Sequence, residues 1–307
     1  MSEYHIPVLL DESVSALVTD PSGVYADATF GGGGHSAAIL SRLSGDGRLI
    51  AFDRDADAIA NTLDDKRFTL IRNNFRFIRN FLIYLGYGSG IDGIIADLGV
   101  SSHQFDTPER GFSFRYDARL DMRMNTGSET TAADIVNTKK EEELERIFRV
   151  YGETENSRRI ARLICKSREE SPITTTGELE KAIEDVLPQF ARHKVLAKIY
   201  QALRIEVNQE MRALEKFLYG AAASLKPGGR LAVITYHSLE DRMVKNFMRS
   251  GNIDGKVEKD FYGHALAPLT PVNKKPAVPD EAEISRNTRA RSAKLRIAEK
   301  TLERREK

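Results

Sequence analysis

Apolar and polar positions follow two rhythms over the first hundred residues. Short, nearly continuous apolar runs are separated by stretches in which apolar residues recur every three or four positions. That is the βαβ pattern of a parallel sheet covered by helices. Residues 24–30 (VYADATF) read as the first strand, 31–34 as a tight loop, and 35–43 as a helix that Gly45 stops. Residues 48–53 form a second strand, followed by a helix with Ala56, Ile59 and Leu63 on one face. Residues 68–72 and 91–97 are the third and fourth strands, and IDGIIAD in the fourth is as apolar as a strand buried on both faces requires. Four strands in this order imply right-handed crossovers.

The rhythm changes after residue 100. From 101 to about 198 no buried strand is expected, and helices are predicted over 140–151 (Leu144, Ile147, Phe148 and Tyr151 on one face) and 157–166 (Ile160, Leu163 and Ile164). Thr175 with Glu178 three residues later is a capping box that opens a third helix bearing Leu179, Ala182, Ile183 and Val186. Ile199, Leu203, Val207, Met211, Leu214, Leu218, Ala221 and Leu225 then predict one amphipathic helix of about seven turns. Lys226-Pro227-Gly228-Gly229 stops it, and 230–236 (RLAVITY) returns to strand. The expected organisation is an open, mostly parallel α/β sheet domain over 1–110, a helical insertion over 111–200, and the second part of the sheet domain over 201–307. Residues 286–307 hold nine Lys/Arg and three Asp/Glu, a net +6, and read either as a solvated final helix or frayed end or as a nucleic-acid contact surface.

Composition narrows the partners. With 46 Lys+Arg against 45 Asp+Glu, the 307-residue chain lacks the global basicity that coats nucleic acid by charge alone, so an acidic partner must be met locally. Its 41% hydrophobic content is not that of a disordered chain. The single cysteine, Cys165, allows no intrachain disulfide and no Cys-based zinc site, which suits a reducing compartment. No apolar run approaches the roughly 18 residues of a membrane span, and Glu3, Asp11 and Glu12 stand where a signal peptide would be basic and then apolar. The expectation is a soluble cytoplasmic protein with no membrane partner.

Glycines 31–34 lie between a strand and a helix, where missing Cβ atoms let backbone N–H groups approach a ligand. GGGHSA satisfies G-x-G-x-x-A, so a dinucleotide reading is open. Asp53 ends the second strand about twenty residues on, where a carboxylate accepts ribose hydroxyls. NAD and S-adenosylmethionine share that ribose. Asp97, running into Leu98-Gly99-Val100-Ser101-Ser102, and the KPGGRL turn before the later strand favour a methyltransferase. An NAD-dependent oxidoreductase and a non-catalytic RNA-binding module on a methyltransferase scaffold remain the alternatives.

Assembled in order, HIPVLLDE (5–12), DATFGGGGHS (27–36), FDRD (52–55), DLGVSSHQ (97–104), ERGFSF (109–114), LDMRM (120–124), QALRIEVN (201–208), YHSLEDR (236–242) and RARSAKLR (289–296) span nearly the whole chain. In these the sequence resembles the RsmH family, also called MraW, of bacterial small-subunit ribosomal RNA cytosine-N4 methyltransferases. The resemblance implies a class I (Rossmann-like) fold in which the inserted helical domain, 111–200, serves substrate recognition. It also implies S-adenosylmethionine as cofactor and S-adenosylhomocysteine as product, with no metal. The substrate would be the exocyclic amine of one cytidine in the decoding region of 16S ribosomal RNA, met within the small ribosomal subunit, and a homodimer is admitted. Carried over by position, the cofactor contacts are Gly33, Gly34, His35, Asp53, Phe75, Asp97 and Gln104. Departures are Gly32 for a commoner Arg, His103 and Thr288 for commoner Pro, and HKVLAKIY (193–200), an altered version of a stretch that usually reads more like Pro-Ala-Thr-Arg-Thr-Phe.

Methyl transfer to an amine needs alignment and the removal of one proton. Asp97 is the candidate orienting group or base, with the Gly99 carbonyl as second acceptor; equally, Asp97 could contact only the cofactor. His35 reads as a cofactor-loop residue at a helix start. Phe75 is a core aromatic or a face for adenine. His237 with Glu240 and Asp241 reads as a capped helix start rather than a metal site or triad. Residues 109–123 interleave Arg110, Arg115, Arg119 and Arg123 with Phe112, Phe114 and Tyr116, a mixture that stacks on unpaired bases and pairs with phosphates. Arg110, Phe112, Arg115 and Arg123 are therefore the expected substrate contacts; the alternative is a loop packed on the sheet edge. A base inside a helix cannot offer its amine, so the target would be looped or flipped out.

Overall fold

Strands β1 (Val24–Asp27), β2 (Arg48–Asp53), β3 (Phe68–Arg72), β4 (Ile91–Asp97), β5 (Leu225–Thr235), β6 (Leu269–Pro271) and β7 (Lys294–Lys300) form one sheet in the order β3-β2-β1-β4-β5-β7-β6. The computed structural model describes residues 7–263 and 266–301. His5 and Ile6 of the first motif and residues 302–307 of the basic tail lie outside the described residues. β1 to β5 pair in parallel, and β7 runs antiparallel to both β5 and β6.

The described chain divides into two compact units, one running up to Gly99 and resuming at Met211, the other comprising Val100–Glu210. In the first, alternate residues of each central strand enter opposite layers, as the two-residue period of a strand dictates. Ile94 and Val233 pack with Ile78 and Leu82 of α4 (Ile78–Tyr84), Phe217 of α11 (Glu210–Ser224) and Phe247 of α12 (Ser238–Ser250). Their neighbours Ile95 and Ile234 pack on the other face with Val14 and Leu17 of α1 (Leu10–Leu17) and Ile39 of α2 (Gly34–Arg42). The short α3 (Ala56–Ile59) follows β2, and α13 (Glu281–Arg286) precedes β7.

The second unit holds α5 (Ser102–Asp106), α6 (Ala132–Thr138), α7 (Glu141–Val150), α8 (Ser157–Glu170), α9 (Thr176–Ala182) and α10 (Arg192–Asn208). Its own core includes Phe112, Leu120, Leu144, Phe148, Ile160, Ile164, Leu179, Leu196 and Leu203. The capping box predicted at Thr175 and Glu178 opens α9, and a second at Thr131 and Asp134 opens α6.

Several expectations need correction. The strand expected from 230 begins at Leu225, so Lys226-Pro227-Gly228-Gly229 lies within β5 and not ahead of it, and α9 ends at Ala182, short of Ile183 and Val186. β1 ends at Asp27, where the chain bends at Ala28, although the Ala28 and Phe30 N–H groups still donate to Ile95 O of β4 and Phe52 O of β2 (2.8 and 2.9 Å). The helix after β2 stops at Ile59, short of Leu63. The single long helix is two, α10 and α11, separated by Gln209 in the left-handed region at φ 49°; the apolar spacing runs on across the break and so conceals it. The tail contains β7, whose Leu295 and Ala298 are fully buried, rather than a final helix or frayed end. Two of its cations are spent on Asp241, Arg296 at 2.7 Å and Lys294 at 3.3 Å. Among the described residues, no helix is long and apolar enough to cross a membrane.

Candidate active site

The strand order reverses between β1 and β4, and ligands of open α/β sheets bind outside the carboxyl ends of the strands at such a switch point. The glycine loop leaves β1 here and Asp97 ends β4. Asp27, buried at the end of β1, accepts the Thr29 N–H (3.0 Å) and the Ser36 hydroxyl (2.7 Å), which ties the strand to the first turn of α2. Gly31 and Gly33 have φ of 52° and 78°, a region that costs a side-chain-bearing residue about 1–2 kcal/mol. A Cβ on Gly33 would press on the Phe30 ring, whereas at Gly31 it would meet only Thr29 O, at 3.9 Å. The loop is therefore closed underneath and open at Gly31.

Asp53 Oδ2 accepts the Gly31 N–H and Oδ1 the Asp55 N–H, each at 2.8 Å. A carboxylate offers about four acceptor positions, so this one stays competent to receive a pair of hydroxyls beside an open stretch of backbone. Burial raises its pKa, opposed by those two N–H bonds. The donor set fits an adenosyl cofactor: a ribose-binding carboxylate, backbone free of side chains, and the half-buried Phe75. That ring meets Phe217 edge-on at 5.2 Å and packs on the core, so the core reading of Phe75 holds on one side of the ring.

Asp97 is held at its backbone, whose N–H donates to Thr29 Oγ1 (2.7 Å), and at its carboxyl, where Tyr236 Oη donates to Oδ1 (2.7 Å). Burial pushes the carboxyl up to about 6; His35 and the Tyr236 hydroxyl pull against the rise, and Asp27 and Glu240 add to it. Gly99, two residues on at φ 103°, passes beside the Tyr236 ring. His35 is turned inward: it is buried, its Nε2 lies 3.2 Å from Val8 O, and its Nδ1 stands 3.9 Å from Asp97 Oδ2. It lies between the N-terminal segment and Asp97. His237 caps α12 through an Nδ1 contact with the Glu240 N–H (3.4 Å), as its sequence position predicted.

Tyr236 is the residue that the sequence did not single out. Its only signal was membership of the YHSLEDR stretch, and nothing in that pattern tells which way the ring turns at the end of β5.

The remaining candidates belong to the helical unit. Gln104 is buried and its Oε1 accepts the Ser101 N–H in a capping box at the start of α5. Arg110 is buried and donates to the carbonyls of Arg123 and Met124 (2.9 and 3.2 Å). Phe112 is 4% exposed, within the helical core. Arg123 grips Asp121 at 2.7 Å and the carbonyls of Thr126 and Ser128. Arg115 is exposed, with Tyr116 (60% exposed) and Arg119 nearby in the same loop. The interleaved pattern thus splits: three of the four expected contacts build the loop, and Arg115 faces water.

Five parallel strands with an antiparallel β7 inserted between β5 and β6, and a glycine loop opposite two strand-terminal acids, define a class I, Rossmann-like methyltransferase. The family model described as the MraW methylase family matches residues 2–301, and the chain belongs to that family. It is 58% identical over 297 residues to the ribosomal RNA small subunit methyltransferase H of Bacteroides fragilis, covering 97% of each chain. It is 57% identical over 297 residues to the protein of the same name from Phocaeicola vulgatus, again 97% of each. The Flavobacterium johnsoniae protein of that name is 55% identical over 298 residues, 97% of this chain and 98% of the relative.

Proposed function

We propose that the protein transfers a methyl group from S-adenosylmethionine to the exocyclic N4 amine of a cytidine in the decoding region of small-subunit ribosomal RNA. The observation that carries the reading is the Asp97 site, a strand-terminal carboxylate poised near neutrality at the sheet's switch point, in a chain more than half identical to small-subunit ribosomal RNA methyltransferases.

Gly33, Gly34, Asp53 and Phe75 would hold the cofactor, with His35 and Gln104 supporting the loop and the α5 turn. The cofactor supplies a methyl carbon on a sulfonium. The cytosine amine is a weak nucleophile because its lone pair is delocalised into the ring. As the nitrogen–carbon bond forms and the carbon–sulfur bond breaks, one N4 proton must leave. Ionised Asp97 accepts a hydrogen bond from the amine, localises the lone pair and takes that proton; the Gly99 carbonyl is the second acceptor. A base with a pKa of about 6 is matched to this work near neutral pH. A direct displacement of this kind calls for no metal. Arg115, with Tyr116 and Arg119, offers charge and stacking surface to an unpaired strand, while Arg110, Phe112 and Arg123 fix the loop that presents them.

The test is labelled methyl transfer to small ribosomal subunits, and separately to naked RNA, from cells lacking the protein, with the product nucleoside identified by mass. N4-methylcytidine from wild type and none from Asp97→Ala is the expected result. Cofactor binding without incorporation into either substrate would overturn the reading.

A further inference from the structure

We propose that Tyr236 is a positioning residue for Asp97: its hydroxyl claims one carboxylate oxygen and thereby fixes the other as the acceptor for the reacting amine. This rests on the assignment of Asp97 to the methyl-transfer step and goes beyond it by naming what orients the acid.

The two oxygens of Asp97 are not equivalent. Oδ1 receives Tyr236 Oη at 2.7 Å, whereas no described group donates to Oδ2, from which His35 Nδ1 stands 3.9 Å away. A carboxylate free to turn would present either oxygen. A hydrogen bond to one of them, with the backbone N–H pinned on Thr29, removes that freedom. Tyr236 can impose the choice because it is itself held at both ends. Its N–H donates to Glu240 Oε2 (3.0 Å), and Glu240 is 3% exposed, with its other oxygen 3.1 Å from His237 Nε2. At the ring, a Cβ on Gly99 would meet Tyr236 Cδ2 at 3.4 Å, ordinary contact distance, so the chain after Asp97 runs close beside the ring.

The hydroxyl is a donor and not a competing base. Burial first, and then the Asp97 carboxylate, raise its pKa well above that of an ordinary tyrosine, so the proton stays on oxygen and points at Oδ1. The charged or titratable groups around Asp97 are His35 from α2, Asp27 from β1, Glu240 from α12 and Tyr236 itself, with Glu283 of α13 acting on Tyr236. Of these, Tyr236 alone donates a hydrogen bond to the carboxyl.

Tyr236→Phe keeps the ring and removes the donor. In the full chain the expected result is unchanged cofactor affinity, a melting temperature only a few degrees below wild type above the Asp97 titration, a kcat about tenfold or more below wild type, and a KM for RNA within about twofold. Losing a hydrogen bond to the ionised form raises the pKa of Asp97, so the acid limb of the kcat profile moves upward by about one pH unit. The same displacement is expected in the Asp97 titration followed by carboxyl 13C shift in the free protein, a readout that needs no substrate. Tyr236→Leu, which also removes the ring, serves as the packing control and is expected to lower the melting temperature as well. An unmoved titration, a kcat within twofold of wild type, or loss of cofactor affinity in step with kcat overturns the proposal. Wild type that makes no N4-methylcytidine overturns the functional reading, whatever the titration shows.

Discussion

Gly34 lies directly against Pro7: a Cβ added at Gly34 would overlap Pro7 Cγ. The contact joins the first helical residue of the cofactor loop to the N-terminal segment, and the next residues reinforce it. His35 Nε2 meets Val8 O, and the Leu9 N–H donates to Glu283 Oε1 at 2.7 Å. Gly34→Ala should therefore displace this segment, costing about 1–3 kcal/mol as overpacking and weakening cofactor binding with it. The double variant Pro7→Gly/Gly34→Ala removes the clashing ring and should recover most of the affinity, measured by calorimetry. An alanine variant with wild-type affinity would show that the segment gives way without disturbing the loop.

The arginine-rich loop should separate into two groups of variants. Phe112→Ala empties a core position and should cost about 3–5 kcal/mol. Arg110→Ala leaves the carbonyls of Arg123 and Met124 without their donor and should cost about 1–3 kcal/mol. Both lose RNA binding through the fold, visible as a fall in denaturation midpoint. Arg115→Ala touches exposed surface only and should leave the midpoint within about 0.5 kcal/mol while lowering RNA affinity and its salt dependence. Unchanged affinity and salt slope in Arg115→Ala would remove that residue from the RNA interface.

The contrast between Arg110 and Asp97 shows what was legible in the chain. Asp53 and Asp97 could be placed because a strand's end is a local event: an apolar run stops, an acid follows, and the parallel topology fixes which edge it reaches. β3 and β4 coincide with their expected bounds for the same reason. Burial of Arg110 depends on two carbonyls 13 and 14 residues away, which no spacing encodes. β7 was concealed by charge, since Arg296 and Lys294 look like tail cations until Asp241 of α12 is beside them. The break at Gln209 left the three- and four-residue spacing intact, so periodicity reads straight through it.

That break is itself testable. Gln209 adopts φ 49° as the C-cap of α10, and its N–H reaches the carbonyls of Glu206 and Ile205. Glycine occupies this region without a Cβ penalty. Gln209→Gly should therefore raise stability by up to about 1 kcal/mol, the gain reduced by the greater freedom of glycine in the unfolded chain. Gln209→Val, branched at Cβ, should lower it. Chemical denaturation of the three proteins gives the order, and Val equal to or above Gly would contradict the left-handed cap.

Asp27 offers a prediction whose sign depends on pH. Burial pushes its carboxyl up to about 6, against the Ser36 hydroxyl and Thr29 N–H, from an ordinary value of 3.8. The folded protein thus holds this proton more tightly than the unfolded chain does. Stability from that proton is fully present below pH 3.8 and is lost as pH rises through about 6, beyond which the penalty is constant. Asp27→Asn carries no such charge, and its amide can accept from Thr29 and donate to Ser36 Oγ in place of the present bonds. At pH 8 the variant should be more stable than wild type by about 1–3 kcal/mol, with the gap closing as pH falls toward 4. Urea midpoints across that range measure it directly, and a gap that does not change with pH would mean that Asp27 ionises as easily in the fold as in the unfolded chain.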